Sequence, residues 1–223
     1  MRYLKTKYCC LVTEQRWDID YHFPAVEIKK YNRLILRRIN ECADIITDKR
    51  NPTIDPEKDF LYVDISSIDV STGTIVTPQL LKGEDAPSRA RKVIRKGDII
   101  ISTCRPTRGA IAVVPEELDN QICSTGFCVI RAKNGTNNGY LHFMLRSAVV
   151  KEQFRKFSTG SSYPAILDDD IKKTIIPLPP KPLQDKIAEG IYKQVEQRNQ
   201  VIAEANRKWN LEISKYMDEV QKL

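Results

Sequence analysis

The sequence predicts a mixed α/β (α+β) globular domain followed by one long helix of coiled-coil type. Three observations carry this. Short apolar and β-branched runs, separated by Gly, Pro and Asn turns, fill the region from Lys7 to Ile176. A proline-rich boundary, Pro177 to Pro182 (PLPPKP), closes it. Beyond that boundary no proline occurs and Gly190 is the only glycine, which predicts a helix from about Leu183 to Leu223. Such a helix is roughly 60 Å long at about 1.5 Å per residue. The chain is accordingly divided into a domain over 1–180 and a helical segment over 181–223.

The elements follow in order. Lys7 to Val12 is a candidate first strand. Leu34 to Thr47 (LILRRINECADIIT) has mixed apolar spacing and predicts a short helix. Asn51-Pro52 and Asp55-Pro56 mark a loop. Phe60 to Ile65 predicts a strand, and Ser71-Thr72-Gly73 a hairpin turn before Thr74 to Val76. Gly97-Asp98 is a turn signal ahead of the strand Ile99 to Ser102. Ala110 to Val114 is a strand ended by Pro115. Ile122 to Arg131 (ICSTGFCVIR) is another, with Gly126 inside it as a bulge candidate. Asn134 to Gly139 is a turn cluster. Tyr140 to Phe157 predicts one or two helical pieces from the spacing of Leu141, Met144, Leu145, Val149 and Phe154.

The terminal helix carries a seam. Ala188, Val195, Ile202, Trp209, Tyr216 and Leu223 recur every seven residues, and Ile191, Ala205, Ile213 and Val220 fall between them. Arg198 interrupts the pattern. An apolar seam of this kind must cover itself, on its own domain or on another helix. Pairing with a partner chain through Ile191, Val195, Ile202, Trp209, Ile213, Tyr216 and Val220 is the preferred expectation.

Composition narrows the function classes. The 223 residues carry a formal net charge of +7 and are 41% hydrophobic. No apolar run approaches the roughly 20 residues needed to span a bilayer. Met1 to Cys10 lacks the apolar stretch and cleavage site of a secretory signal. The six cysteines show no CxxC spacing, and their use as free thiols fits a reducing, cytoplasmic location. Cys123 and Cys128 are expected as small buried apolar residues. The segment from Lys181 to Leu223 is nearly neutral, with eight basic and seven acidic residues, so most of the positive excess lies in the domain. Between Leu81 and Ala110 eight basic residues face three acidic ones, a balance suited either to a polyanion or to an ordinary solvated face.

No catalytic constellation is found. There is no GxxxxGK[ST] loop, GxGxxG turn, Asn-Pro-Pro-aromatic motif or GxSxG elbow. His22 and His142 have no partner at metal-ligand spacing and are expected to be structural. Asp55-Pro56-Glu57-Lys58 superficially resembles a nuclease D…ExK set but is compressed into a proline-containing loop. Asp168-Asp169-Asp170 fits a turn or a helix start better than a cation site. Neither catalytic nor metal-ligating residues are therefore assigned.

An ordered set of phrases is more specific. Arg16-Trp17-Asp18-Ile19-Asp20-Tyr21 is followed by Tyr62 to Asp69 (YVDISSID), Ala86 to Arg91 (APSRAR) and Gly97 to Pro106 (GDIIISTCRP). Ser124 to Phe127 (STGF), Gly160 to Ile166 (GSSYPAI), Ile176 to Pro180 (IPLPP) and Gln184 to Ile187 (QDKI) complete it. Together these resemble the specificity subunits of type I restriction-modification systems over nearly the whole chain. The resemblance implies a target recognition domain that reads one half of a split double-stranded DNA site, followed by a spacer helix. It implies no catalysis and no cofactor bound by this chain. S-adenosylmethionine, ATP and Mg are expected on the partners: a DNA methyltransferase subunit and, in some complexes, a restriction subunit. Full subunits of this family hold two such domains and two antiparallel helices, whereas this sequence holds one of each. A half-subunit acting as a homodimer is the resulting expectation, with a natural half, a truncated product or a piece of a longer chain left open.

Within that frame Arg105 and Arg108, flanking Pro106-Thr107 in a loop after a strand, are the candidates for base contact, because a guanidinium fork matches two acceptors of guanine. Arg89, Arg91, Lys92 and Arg95 are candidates for phosphate contact, and Ser161, Ser162 and Tyr163 form a polar loop that could touch DNA. The GSSYPAI segment could equally serve only to shape a turn. Competing readings are a stand-alone DNA-binding regulator or antirestriction decoy of the same fold, a nuclease or methyltransferase fragment, and a plain coiled-coil interaction protein.

Overall fold

The computed structural model describes residues 27–160 and 162–221. The expected strand at Lys7 to Val12, the Arg16 to Tyr21 phrase, His22 and Ser161 lie outside the described residues. The structure is a layered α/β arrangement from which one long helix projects.

Two four-stranded sheets form its middle. The first has the order β2 (Ala43–Ile46), β11 (Phe127–Ala132), β8 (Ile99–Ser102), β9 (Ile111–Val113), antiparallel throughout. The second has the order β6 (Gln79–Lys82), β3 (Asp59–Val63), β10 (Gln121–Ser124), β7 (Ala90–Ile94), with β3 and β10 parallel. Two small ribbons accompany them. One pairs β1 (Leu36–Arg38) with β12 (Ile175–Pro177), the other β4 (Ile68–Asp69) with β5 (Thr74–Ile75).

Strand alternation explains the layers. Ile99, Ile101, Cys128 and Ile130 face one way, into a core shared with Leu141, Met144, Leu145, Val150, Phe154 and Ile171 on the helices. Ile100, Phe127 and Val129 face the other way, against Val63, Ile94, Leu118 and Cys123 between the sheets. Both faces of β8 are thus buried, which is why Ile99-Ile100-Ile101 is an unbroken apolar run and not an alternating one. Cys123 and Cys128 are fully buried, and burial pushes the Cys123 thiol up to about 12. The turn before β8 is pinned by Asp98, itself fully buried, which accepts from the Arg95 amide and takes both arms of Arg131 at 2.7 and 3.0 Å.

The helices cover the outer face of the first sheet. They are α1 (Ile39–Cys42), α2 (Asn138–Leu145), α3 (Ala148–Phe157), α4 (Asp168–Lys173) and α5 (Lys181–Gln221). The helix expected over Leu34 to Thr47 is corrected: only Ile39–Cys42 is α-helical, with a single 3-10 turn over Arg33–Ile35 before it. Arg37 and Arg38 are drawn into a ribbon with β12, and Ala43 to Ile46 pair with β11. Tertiary pairing overrides the local preference of this stretch. The expected strand Ile122 to Arg131 is two strands, broken by a turn at Thr125-Gly126 with a register shift at Cys123/Ser124. Asp168 to Asp170 form the first turn of α4, where acidic residues suit the helix dipole.

The base of α5 is fastened to the domain. Gln184 and Ala188 are buried. Gln184 accepts from the Asn137 amide at 2.8 Å and donates to the Pro179 carbonyl at 2.7 Å. The Tyr192 ring lies so close to Gly139 that a side-chain carbon there would fall 2.7 Å from it. Arg198 donates to Ser71 Oγ at 3.3 Å, and from Glu196 onward every described side chain is exposed. The stretch beyond Arg198, about 23 residues and roughly 35 Å, therefore stands clear of the domain. None of the helices among the described residues is long and apolar enough to cross a membrane.

Candidate nucleic-acid interface

After β8 the chain makes a turn that two distant segments hold in place. Thr103 donates both its amide and its hydroxyl to the Gly126 carbonyl, each at 2.9 Å. Arg105 takes a left-handed conformation, φ 48° and ψ 52°. For a residue with a long side chain this costs about 1 kcal/mol or more. Its amide donates to the Pro164 carbonyl at 2.7 Å, and a guanidinium nitrogen to the Ser162 carbonyl at 3.3 Å. The guanidinium carbon sits 4.5 Å from the centroid of the Tyr163 ring, a cation–π contact. Tyr163 itself is 70% exposed.

The loop that carries Tyr163 is closed at its neck by paired backbone bonds between Thr159 and Ala165, with Gly160 at φ 91°. Two stretches more than fifty residues apart in sequence are thus joined in one assembly. Thr107 and Arg108 are exposed on the single 3-10 turn Pro106–Arg108, anchored by buried Pro106 and ended by Gly109 at φ 80°. Arg89 joins this end of the sheets, because its carbonyl accepts from the Thr125 amide at 2.8 Å, beside Gly126.

The structure does not gather all the expected phosphate contacts. Lys92 is turned inward, its side chain 13% exposed. Its ammonium donates to the Phe127 carbonyl at 2.6 Å and lies 3.7 Å from Asp168, so its charge is spent on tying β7 to the first sheet. Arg91 is half-buried and donates to the Pro87 and Ala90 carbonyls. Arg95 is exposed at the opposite end of β7 from Arg89, about 20 Å along an extended strand. Arg105, Thr107, Arg108, Ser162 and Tyr163 remain as one cluster, with the Arg89 backbone tied to Thr125 at the same end of the sheets. Thr103, which braces the cluster through the Gly126 carbonyl, and Lys151 beside it have no assigned role in the sequence, where Gly126 is read as a bulge candidate. Only the amphipathic spacing of the 148–157 segment could have signalled Lys151.

A second loop borders the cluster. In Val70 to Gly73, Arg146 donates to the carbonyls of Val70, Ser71 and Thr72. The hydroxyls of Thr72 and Ser71 hold the Asp69 carboxyl down to about 2. His142 lies half-buried beneath, its Nε2 3.3 Å from the Ile111 carbonyl, and desolvation lowers its pKa from 6.5 to about 4. Since the folded value lies below the unfolded one, neutral His142 stabilises the fold above about pH 6.5, and that contribution is lost as pH falls toward about 4. Thermal melts should therefore show a loss of stability across this window that is flatter in His142→Gln. Equal slopes for both proteins would show that the ring does not titrate in this way.

Among the described residues no group of three His, Cys, Asp or Glu side chains could hold a metal ion. Asp55 and Glu57 lie in an exposed loop.

The cluster therefore pairs cations with a stacked aromatic on a rigid double sheet, the chemistry of a nucleic-acid reader. Residues 37–208 match the family described as Type I restriction modification DNA specificity domain, and the chain belongs to that family. It is similar to the Type I restriction enzyme HindI specificity subunit of Haemophilus influenzae, 32% identical over 130 residues, which are 55% of this chain and 28% of that one. Among solved structures it is similar to the HsdS subunit from Thermoanaerobacter tengcongensis, with 44% identity and a TM-score of 0.66 over 79% of this chain and 46% of that one. A chain in a structure described as the structural basis of complex assembly and conformational transition of the type I R-M system matches with 42% identity and a TM-score of 0.67. It covers 83% of this chain and 48% of its own. This chain thus spans about half the length of those structures and less of the curated relative. The mixed α/β fold with a long terminal helix is that of these specificity subunits, and the matched family is one of DNA specificity domains.

Proposed function

We propose that this chain reads one half of a split double-stranded DNA target and directs a partner DNA methyltransferase subunit, and where one is present a restriction subunit, to that target. The observation that carries this is the Arg105 assembly: a guanidinium held by a strained backbone and an aromatic stack, at the exposed end of a rigid fold. Arg105 and Arg108 supply base contacts, with Arg89, Thr107, Ser162 and Tyr163 around them. The partners carry S-adenosylmethionine, ATP and Mg, and the complex works in the cytoplasm.

The exposed outer half of α5 supports a homodimer. Ile202, Trp209, Ile213, Tyr216 and Val220 form a stripe left wholly in water by the domain. Ile191 and Val195 are half-buried on the segment bound to the domain, so pairing falls mainly to residues beyond Arg198. Two copies related by a two-fold axis would read an interrupted palindrome.

The test is co-expression with the methyltransferase subunit of its own system in an unmethylated host, with every modified base mapped. An interrupted palindrome that depends on this chain is the expected result. An asymmetric split motif would keep the specificity role and overturn the homodimer. No chain-dependent modification would overturn the role and leave a regulator or decoy.

A further inference from the structure

We infer that Lys151 and Arg155, on the outer edge of α3, form a phosphate-binding rail that runs beside the Arg105 loop. This rests on the DNA-reading role proposed above and extends it to residues that lie outside the loop. The pattern of α3 separates two faces. Val149, Val150, Gln153 and Phe154 are buried in the domain, which leaves Arg155 exposed and Lys151 half-buried one turn before it. Residues four apart on a helix are neighbours, about 6 Å between Cβ atoms. The two cations therefore lie along one edge.

That edge is continuous with the cluster. A side-chain carbon at Gly109 would fall 3.2 Å from the Lys151 ammonium, so the charge hangs beside the turn that presents Thr107 and Arg108. At its other end α3 leads through Ser158 into the loop that stacks Tyr163 on Arg105. The edge, the turn and the loop make one ridge.

Charge pairing leaves this ridge positive. Some lysines elsewhere on the described surface lie against carboxylates, Lys82 on Glu57, Lys96 on Glu116, Lys133 on Asp44 and Lys172 on Asp169. Among the described residues no ion pair engages Arg105, Arg108, Lys151 or Arg155. Four cations left without carboxylates on one ridge produce a local positive field suited to a polyanion. Lysine and an exposed helical arginine, with no fixing stack, suit phosphate oxygens and carry no sequence information.

The experiment measures binding of the full chain to a duplex of arbitrary sequence by fluorescence anisotropy, between about 50 and 200 mM salt. Lys151→Gln and Arg155→Gln are expected to weaken binding by a similar factor on every duplex tested, and each should lower the steepness of log affinity against log salt by about one. Lys151→Ala and Arg155→Ala provide a second pair should either glutamine variant melt early. Lys96→Ala, which breaks a pair with Glu116 away from the ridge, should leave the salt slope unchanged. Unaltered affinity and slope in a folded double variant, with wild-type binding intact, would overturn the rail and leave the loop untouched. Failure of the wild-type chain to bind any duplex would overturn both.

Discussion

Replacing Trp209 and Ile213 with aspartate is expected to leave the globular domain folded and to convert a self-associating protein into a monomer. Both residues sit on the part of α5 that the domain does not cover, with Trp209 67% and Ile213 42% exposed. Burying a large apolar side chain contributes about 1.5–3 kcal/mol, and a helix pair buries each position from both copies. Removing two such side chains and placing carboxylates in the seam should weaken association by more than about 100-fold, because roughly 3 kcal/mol corresponds to that factor. Sedimentation equilibrium reads the association, and far-ultraviolet circular dichroism with a thermal melt reads the fold. The domain should melt unchanged, since the seam beyond Arg198 makes no contact with it. A wild-type protein that stays monomeric at high micromolar concentration would end the homodimer proposal. In that case the seam would need a helix from a different chain.

Replacing Arg105 with alanine should cost about 1–3 kcal/mol for one target sequence, roughly 5- to 150-fold, and little for unrelated DNA. Arg105→Lys should not restore the loss, because an ammonium lacks the planar fork that meets two acceptors at once. Tyr163 separates reading from positioning. Tyr163→Phe keeps a ring under the guanidinium and should retain most discrimination, whereas Tyr163→Ala removes the stack and should lose part of it. Affinities for the mapped target and for single-base variants of it, at fixed salt, measure both effects. A uniform loss over all sequences would reassign Arg105 to phosphate contact.

Much of the fold could be read from sequence because the signals were local. Ile99 to Ser102 is a strand as its apolar run and the Gly97-Asp98 turn predict. The hairpin about Ser71-Thr72-Gly73 and the helix after Pro180 likewise follow from turn chemistry and from the absence of breakers. The failures lie where distant partners decide. Ala43 to Ile46 could be helix or strand until β11 offers an edge. The strands Gln79–Lys82, Ala90–Ile94 and Ile175–Pro177 have weak alternation and are set by their neighbours.

The candidate site shows the same division. Arg105 and Arg108 stand out beside Pro106 and Gly109, but nothing local shows that Tyr163 will stack on Arg105. Equally, Lys92 resembles its neighbours in a basic run. Its inward turn depends on a carbonyl thirty-five residues away. The break in the heptad at Arg198 is explained only by the fold. This residue marks the place where the helix leaves the domain, and it faces Ser71.

That departure point locks the phase of everything beyond it. With Gln184, Tyr192 and Arg198 all fixed on the domain, the azimuth of the outer seam is set before the helix enters solvent. One residue inserted after Arg198 would swing the stripe by about 100° around the axis, whereas seven would restore its bearing to within about 20° and lengthen the arm by about 10 Å. Changes in the length of this arm are thus tolerated in heptad steps, and the domain end can remain unaltered while its reach evolves.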